Sequence, residues 1–108
     1  MQADEPRTEE LTLTAVMAAL SDPMRVAIVR QLASEGERTC GTFELGISKA
    51  TRSHHFRVLR EAGLTHTRAE GTHRYVMLRR DEVDARFPGL LGAVLSAAEA
   101  ETFTAVPS

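Results

Sequence analysis

Residues 47–78 of this chain read ISKATRSHHFRVLREAGLTHTRAEGTHRYVML, and this stretch decides the fold. Its first half carries the signals of a helix: the Ser48 hydroxyl can cap the N-terminus, and Phe56 and Leu59 recur at helical spacing. Gly63 can adopt the left-handed backbone conformation that ends many helices. The stretch therefore predicts a helix over residues 48–62.

After Gly63 the pattern changes to the composition of strands. Residues 64–69 and 72–78 are rich in Thr, Val and Tyr, and they flank Glu70-Gly71, where the glycine can adopt a positive φ. This pattern predicts a two-stranded β-hairpin with arginine and histidine side chains near its tip.

The residues before this stretch predict three more helices. Thr8 can cap a first helix, and Asp22-Pro23 is a typical start for a second helix, with Asp as the cap and Pro at the first helical position. A short third helix is predicted over residues 40–45. With the following turn, which contains Gly46, and the helix over residues 48–62, it forms a helix-turn-helix arrangement.

The residues after the hairpin predict a short helical turn capped by Asp81 and then an apolar helix from Leu90. The order of elements therefore predicts a mainly α fold with a two-stranded β wing, which is a winged helix-turn-helix. We expect this domain to cover residues 8–103, with a disordered N-terminus over residues 1–7 and a flexible tail over residues 104–108.

Length and composition limit the chain to one small domain, since it has 108 residues with 43% hydrophobic and 26% charged content. No apolar run approaches the ~18 residues of a membrane-spanning helix, and the acidic start is unlike a signal peptide. The single cysteine, Cys40, excludes a disulfide within the chain. We therefore expect a cytoplasmic location and no membrane partner.

The charge is distributed unevenly, although the formal net charge is only −2. Residues 48–80 hold eight basic and two acidic side chains, and all four histidines, whereas the segments on either side are both acidic. A basic centre between acidic ends is typical of an element that binds a polyanion. A solvated face balanced by its own neighbours is the alternative.

The polar face of the helix over residues 48–62 can read DNA. Lys49 and Arg57 can reach base acceptors or phosphates, Ser53 and His54 can donate hydrogen bonds, and the helix N-terminus near Ser48 favours a phosphate. The alternative is an ordinary exposed amphipathic helix.

Two residues of this helix are ambiguous. His55 lies between the buried stripe and the exposed face, so a half-buried histidine and a phosphate contact are both possible. Arg52 lies on the stripe of Phe56, where an apolar side chain is expected. Because a buried lone guanidinium is costly, its stem can follow the core rim while its head reaches a phosphate.

The hairpin adds four candidates near its tip, which are Arg68, Thr72, His73 and Arg74. A wing beside a recognition helix can reach an adjacent groove, where arginine binds best. A solvated hairpin tip is the alternative.

Three segments resemble the ArsR/SmtB family of bacterial transcriptional regulators: LSDPMR at residues 20–25, ISKATRSHHFRVLREAGL at 47–64 and EGTHRY at 70–75. The resemblance implies a homodimer, joined through its first and last helices, that binds an inverted-repeat operator in double-stranded DNA and usually represses transcription. By position in the motif, it places DNA contacts at Ser48, Lys49, Thr51, Ser53, His54 and His55. Arg52 departs from the Val or Leu usual in the family.

The apolar stripes independently favour a dimer. A twofold dimer presents two recognition helices about 34–36 Å apart, one turn of DNA. The candidate interface residues are Leu11, Leu13, Leu90, Leu91, Val94 and Leu95. Packing of the same residues within one monomer is the alternative.

The effector is unknown from the sequence. Neither metal-ligand pattern of the family is complete, so we predict no cofactor and no metal, although His66 or His73 with acidic residues of the other subunit could form a non-standard site. Cys40 could respond to oxidants, and a buried structural thiol is its alternative. An organic effector, or none, also remains open.

Other functional classes have less support. No Gly-rich phosphate loop, nucleophile elbow or H-E-x-x-H pattern is present, which argues against an enzyme. A winged-helix module that binds only proteins is the remaining alternative.

Overall fold

The computed structural model describes residues 5–39 and 48–105, and these form five α-helices, a 3₁₀ turn and a small antiparallel sheet. The predicted short helix over residues 40–45 and Cys40 lie outside the described residues. The elements are the 3₁₀ turn Thr8–Glu10, α1 Leu13–Ala19, α2 Pro23–Glu35, β1 Arg38–Thr39, α3 Lys49–Glu61, β2 Thr65–Glu70, β3 His73–Leu78, α4 Arg80–Arg86 and α5 Leu90–Ala105.

Side-chain caps begin α2 and α3 where the sequence placed them, but the caps predicted at Thr8 and Asp81 are wrong. Asp81 lies within the first turn of α4, which begins at Arg80 and has no side-chain cap. Asp22 accepts hydrogen bonds from the backbone N–H of Met24 and Arg25 at the start of α2, and Ser48 accepts one from Thr51 at the start of α3. The predicted first helix begins later, since Thr12 rather than Thr8 caps α1. The chain turns inward at the buried Leu11, which interrupts a continuous helix from Thr8.

The predicted hairpin is confirmed, but its two-residue turn is Gly71-Thr72 rather than Glu70-Gly71. Strands β2 and β3 pair antiparallel from Thr65 opposite Leu78 to Glu70 opposite His73, so that Gly71 and Thr72 form the turn, with Gly71 at a φ of +61°. The sequence did not predict a third strand. β1 pairs with the other edge of β3, which gives the sheet order β1-β3-β2.

One hydrophobic core joins the helices to the inner face of the sheet. Its largest fully buried side chains are Leu11, Val16, Ile28, Val29, Leu59, Leu64, Val76, Val83 and Leu91. Two of them, Leu11 and Leu91, were predicted at a dimer interface, but they are 1% and 0% exposed within one chain. A side chain already covered by its own chain gains nothing from a partner, so these two residues belong to the core.

The N-terminal segment packs closely on the exit of α3. Gly63 has a φ of +88°, and a Cβ at this position would lie 2.0 Å from Cδ2 of Leu11 and 3.1 Å from Cγ of Pro6. Glycine is therefore needed at residue 63 for both its backbone conformation and the close approach. Within this segment Glu5, Pro6 and Arg7 make hydrogen bonds with the rest of the described chain.

Within the part of the chain that the structure describes, no helix is both long and apolar enough to cross a membrane.

Candidate nucleic-acid interface

The N-terminal half of α3 presents its polar side chains to the exterior. The predicted contact residues Ser48, Lys49, Thr51, Ser53, His54 and Arg57 are all exposed. The Ser48 hydroxyl holds the first turn, because it accepts from the Thr51 backbone N–H at 3.1 Å and lies 2.9 Å from the Thr51 hydroxyl. The sequence therefore placed the exposed face of this helix correctly.

A wide open cleft of about 1100 Å³ lies between α3 and the β2–β3 hairpin. It collects eight of the predicted DNA-binding residues from two separate segments of the chain. Its described lining consists of Lys49, Ala50, Arg52, Ser53, His54, Phe56, Arg57, Arg60, Thr67, Thr72, His73 and Arg74.

The charge of the cleft has one sign. Its described lining includes one lysine, four arginines and two histidines, and none of these lining residues is an aspartate or glutamate. Cations gathered on a concave surface reinforce each other's field and attract a polyanion. This cleft, which we call the basic cleft, is the part of the described surface best suited to a nucleic-acid backbone.

Arg52 and Arg60 flank Phe56 along one side of α3, four residues before and four residues after it. Arg52 is half-buried and lines the basic cleft, as expected for a side chain whose stem follows the core rim. Arg60 also lines the basic cleft, although it is not among the DNA contacts that the sequence predicts. The signal that could have found it is the spacing of Arg52 and Arg60 about Phe56.

His55 does not face the basic cleft. It is 8% exposed, and its Nδ1 atom lies 3.3 Å from Nη1 of Arg25 and 3.9 Å from Oδ2 of Asp22. The prediction of a DNA contact at His55 is therefore corrected, since successive helix positions are roughly 100° apart and His55 lies on the far side from Ser53.

Arg68 also lies apart from the described lining of the basic cleft. Its guanidinium forms two hydrogen bonds with Glu37, at 3.0 and 3.1 Å, approaches Glu70 at 3.5 Å and lies over the Tyr75 ring. The hydrogen bond with Arg68 lowers the pKa of the Glu37 carboxyl, and the same bond raises the pKa of Arg68 above its usual value. This arginine joins the loop after α2 to the hairpin.

A second group of polar residues ties the N-terminal segment to the base of the hairpin. The Arg79 side chain, 8% exposed, donates to the Pro6 carbonyl at 2.7 Å and to both Glu82 oxygens. Glu82 also accepts from the Thr8 hydroxyl. The hydrogen bonds from Arg79 and Thr8 hold the pKa of the Glu82 carboxyl below its ordinary value, despite partial burial.

Glu5 completes this group, since one of its oxygens lies 2.6 Å from Nδ1 of His66 and the other accepts from the Thr67 N–H at 3.1 Å. His66, which the sequence offered as a possible metal ligand with the other subunit, contacts the Glu5 carboxylate of its own chain. Across residues 5–39 and 48–105, no three side chains of His, Cys, Asp or Glu come close enough to hold a metal ion.

The fold and the basic cleft define a winged helix-turn-helix protein with a surface for a polyanion. In agreement, residues 20–68 match the family described as "Helix-turn-helix domain". The chain is 46% identical over 79 residues to the "Uncharacterized HTH-type transcriptional regulator YceK" of Bacillus subtilis, with 70% of this chain and 79% of that protein covered. The chain therefore belongs to the helix-turn-helix transcriptional regulators.

A solved structure agrees with this assignment at the level of the fold. The transcriptional repressor BigR from Xylella fastidiosa superposes with a TM-score of 0.61, over 89% of this chain and 88% of that one, at 24% identity. The protein is thus a DNA-binding transcriptional regulator with a winged helix-turn-helix fold, and not an enzyme.

Proposed function

We propose that this protein is a homodimeric repressor of the ArsR/SmtB type that binds an inverted-repeat operator in the cytoplasm. The observation that carries the proposal is the basic cleft, because it brings the cations of α3 and of the hairpin together without a carboxylate among the described residues that line it. Double-stranded DNA is the polyanion whose major groove admits an α-helix.

In this proposal α3 enters the major groove with its N-terminal half. Ser53 and His54 contact base edges, whereas Lys49, Arg52 and Arg57 contact phosphates or base acceptors. The N-terminus of α3, with Ser48 and Thr51, faces a phosphate.

The hairpin lies beside the helix and reaches the neighbouring groove or phosphates. Thr72, His73 and Arg74 at its tip line the same cleft as α3, so one strand of the duplex can pass between the helix and the wing. Arg60 and Thr67, on the walls of the cleft, are additional contacts in this arrangement.

The dimer is supported by apolar side chains on the surface of the first and last helices. Leu13 and Met17 on α1 are 45% and 53% exposed. On α5, Leu90, Val94 and Leu95 are only partly buried. Exposed apolar side chains one helical turn apart are suited to an interface with a second copy, and a twofold axis there makes the operator an inverted repeat.

The repressor role is supported by the resemblance of three motifs to the ArsR/SmtB family and by the fold shared with BigR, a transcriptional repressor.

We propose that DNA binding requires no metal, because the described histidines and carboxylates do not cluster.

The test is selection of random duplexes by the purified protein, followed by a salt titration on the selected sequence. We expect an inverted repeat with half-site centres about one helical turn apart, roughly 10–10.5 base pairs. Affinity should fall steeply with salt, since neutralised phosphates release counterions. The same sequence should emerge in the presence of a chelator.

Each part of the proposal has its own contradicting result. A single unrepeated half-site would argue against the dimer, and loss of binding with the chelator would argue for a metal-dependent regulator. Absence of any enriched sequence, together with affinity that does not change with salt, would favour a protein-interaction module. Expression of a reporter behind the selected site should fall when the protein is present, and a rise would contradict repression.

A further inference from the structure

Arg25, near the start of α2, connects three helices. Its Nε donates to the carbonyl of Ala19 at 2.6 Å and its Nη2 to the carbonyl of Ala18 at 3.5 Å. Both carbonyls belong to the last turn of α1, where the helix dipole favours a cation. The planar guanidinium fork is therefore fixed against the end of α1, which a lysine could not reproduce.

The remaining arm of Arg25 reaches α3. Its Nη1 lies 3.3 Å from Nδ1 of His55. Arginine can only donate hydrogen bonds, so this contact requires His55 to accept at Nδ1 and to carry its proton on Nε2. Because His55 is almost completely buried, water competes little for the bond.

Asp22 supplies the negative charge of this junction. Its Oδ2 accepts from the backbone N–H of Met24 at 2.9 Å and of Arg25 at 3.1 Å, and it lies 3.9 Å from Nδ1 of His55. Burial raises the pKa of the Asp22 carboxyl, but the hydrogen bonds from the backbone N–H groups of Arg25 and Met24 and the charge of the Arg25 guanidinium lower it, and the pKa lies below its ordinary value. The guanidinium is thus accompanied by an ionised carboxylate.

We propose that His55 is a positioning residue that sets the rotation of α3, through Arg25, and so aims the DNA-reading side chains of the opposite face. The inference rests on the proposed function, in which α3 reads the operator. Phe56 and Leu59 anchor α3 by apolar packing, which is less directional than a hydrogen bond. The side chains of a recognition surface must lie within about 0.5 Å and 10–20° of their productive positions, so a small rotation of α3 lowers operator affinity.

The test is a double-mutant cycle that measures operator affinity and thermal stability together. His55→Leu and Arg25→Met each keep an apolar side chain in place and remove the bond, and each should weaken operator binding by about tenfold. Tm should change little in His55→Leu, whereas Arg25→Met should also lower Tm, because the carbonyls of Ala18 and Ala19 lose their donor. The double variant should bind the operator no more than about twofold less tightly than the single variant with the lower affinity, because both substitutions remove the same interaction.

His55→Asn is the conservative rescue, since its side-chain oxygen can accept from Arg25 near the position of Nδ1. It should restore affinity to within about threefold of the unsubstituted protein. A merely structural histidine would instead show Tm and affinity falling in parallel, with no rescue, and a direct DNA contact at His55 would show additive losses in the cycle. Either result would overturn the proposal.

Lys49→Ala and Arg57→Ala separate this inference from the proposed function. If these two variants bind the operator normally, the assignment of α3 as the reading helix fails. If they weaken binding while the His55 and Arg25 variants do not, only the positioning role fails.

Discussion

The arginines of the positively charged residues 48–80 divide into two groups that the sequence does not distinguish. In the basic cleft, Arg57 and Arg74 line a surface with no carboxylate among its described lining. Elsewhere on the hairpin, Arg68 is bonded to the distant Glu37. Arg79, at the hairpin base, is bonded to Glu82, three residues later. The two groups alternate along the chain, although they lie in different places in the fold.

In the proposed complex, pairing with a carboxylate, rather than the number of charges, separates structural arginines from those that contact DNA. An arginine held by two carboxylate oxygens has its donors occupied and its charge compensated, so a phosphate must displace a good partner to reach it. Arg57 and Arg74 lie among described cleft residues of their own sign, so a phosphate bound there would relieve repulsion. In the proposed complex, Arg68 and Arg79 fix the shape of the wing, and Arg57 and Arg74 supply affinity for DNA.

The strongest test of this division is a charge reversal in the basic cleft. Arg57→Glu should weaken operator binding by roughly 100-fold, since it removes a contact and adds repulsion against phosphate, while the free energy of unfolding stays nearly unchanged. Fluorescence anisotropy on a labelled duplex measures the affinity. Arg80→Glu is the matched control, because Arg80 lies on α4 and pairs with Asp84. Equal losses in the two variants would mean that only net charge matters.

The second test removes a buried member of the structural group. Arg79→Met should lower the free energy of unfolding by about 2 kcal/mol, because the Pro6 carbonyl and Glu82 lose their partner. Operator affinity of the folded protein should stay within about twofold. Urea denaturation measures the stability, and Arg80→Met, which breaks an exposed pair, should cost well under about 1 kcal/mol. A large loss of affinity in folded Arg79→Met would place this arginine in the binding group.

The sequence was sufficient for the parts of the fold that rest on local signals. The caps Asp22 and Ser48, the spacing of Phe56 and Leu59, and the hairpin turn at Gly71 each depend on neighbours within a few residues. The exposed face of α3 followed from the same periodicity. Local pattern thus predicted the winged helix-turn-helix and most of the described lining of the cleft.

The errors in the candidate contact and interface residues fall where distant segments meet. Leu11 and Leu91 belong to amphipathic stripes, and a stripe does not tell whether its partner is the same chain or a second copy. Arg68 is compensated by Glu37, which lies 31 residues away, and His55 is engaged by Arg25, 30 residues away. Neither pairing has a signal in local spacing.

The third test uses the depressed pKa of the Glu82 carboxyl. A carboxyl whose pKa is lower in the folded than in the unfolded protein stabilises the fold above its unfolded pKa of about 4.5. This stabilisation is lost as the pH falls through the lower pKa that the Glu82 carboxyl has in the folded protein. Glu82→Gln should therefore be less stable than the unsubstituted protein at pH 7, and the two should converge towards pH 3.

Urea denaturation between pH 7 and pH 3 measures that convergence. The exposed Glu99→Gln variant controls for removal of a carboxylate elsewhere. A gap between Glu82→Gln and the unsubstituted protein that stays constant with pH would contradict an electrostatic role for Glu82 and leave only its packing.

The smallest expected effect separates two arginines of the same hairpin. Arg74→Gln should weaken operator binding several-fold and lower the slope of log affinity against log salt by about one, as expected for one lost phosphate contact. Arg68→Gln should change affinity by no more than about twofold and leave the slope intact, because Glu37 and Glu70 already hold this side chain. If both variants reduce the slope equally, Arg68 exchanges its carboxylates for phosphate when DNA binds. Arg68 would then belong with the DNA-contacting arginines, and Arg79 at the hairpin base would remain structural.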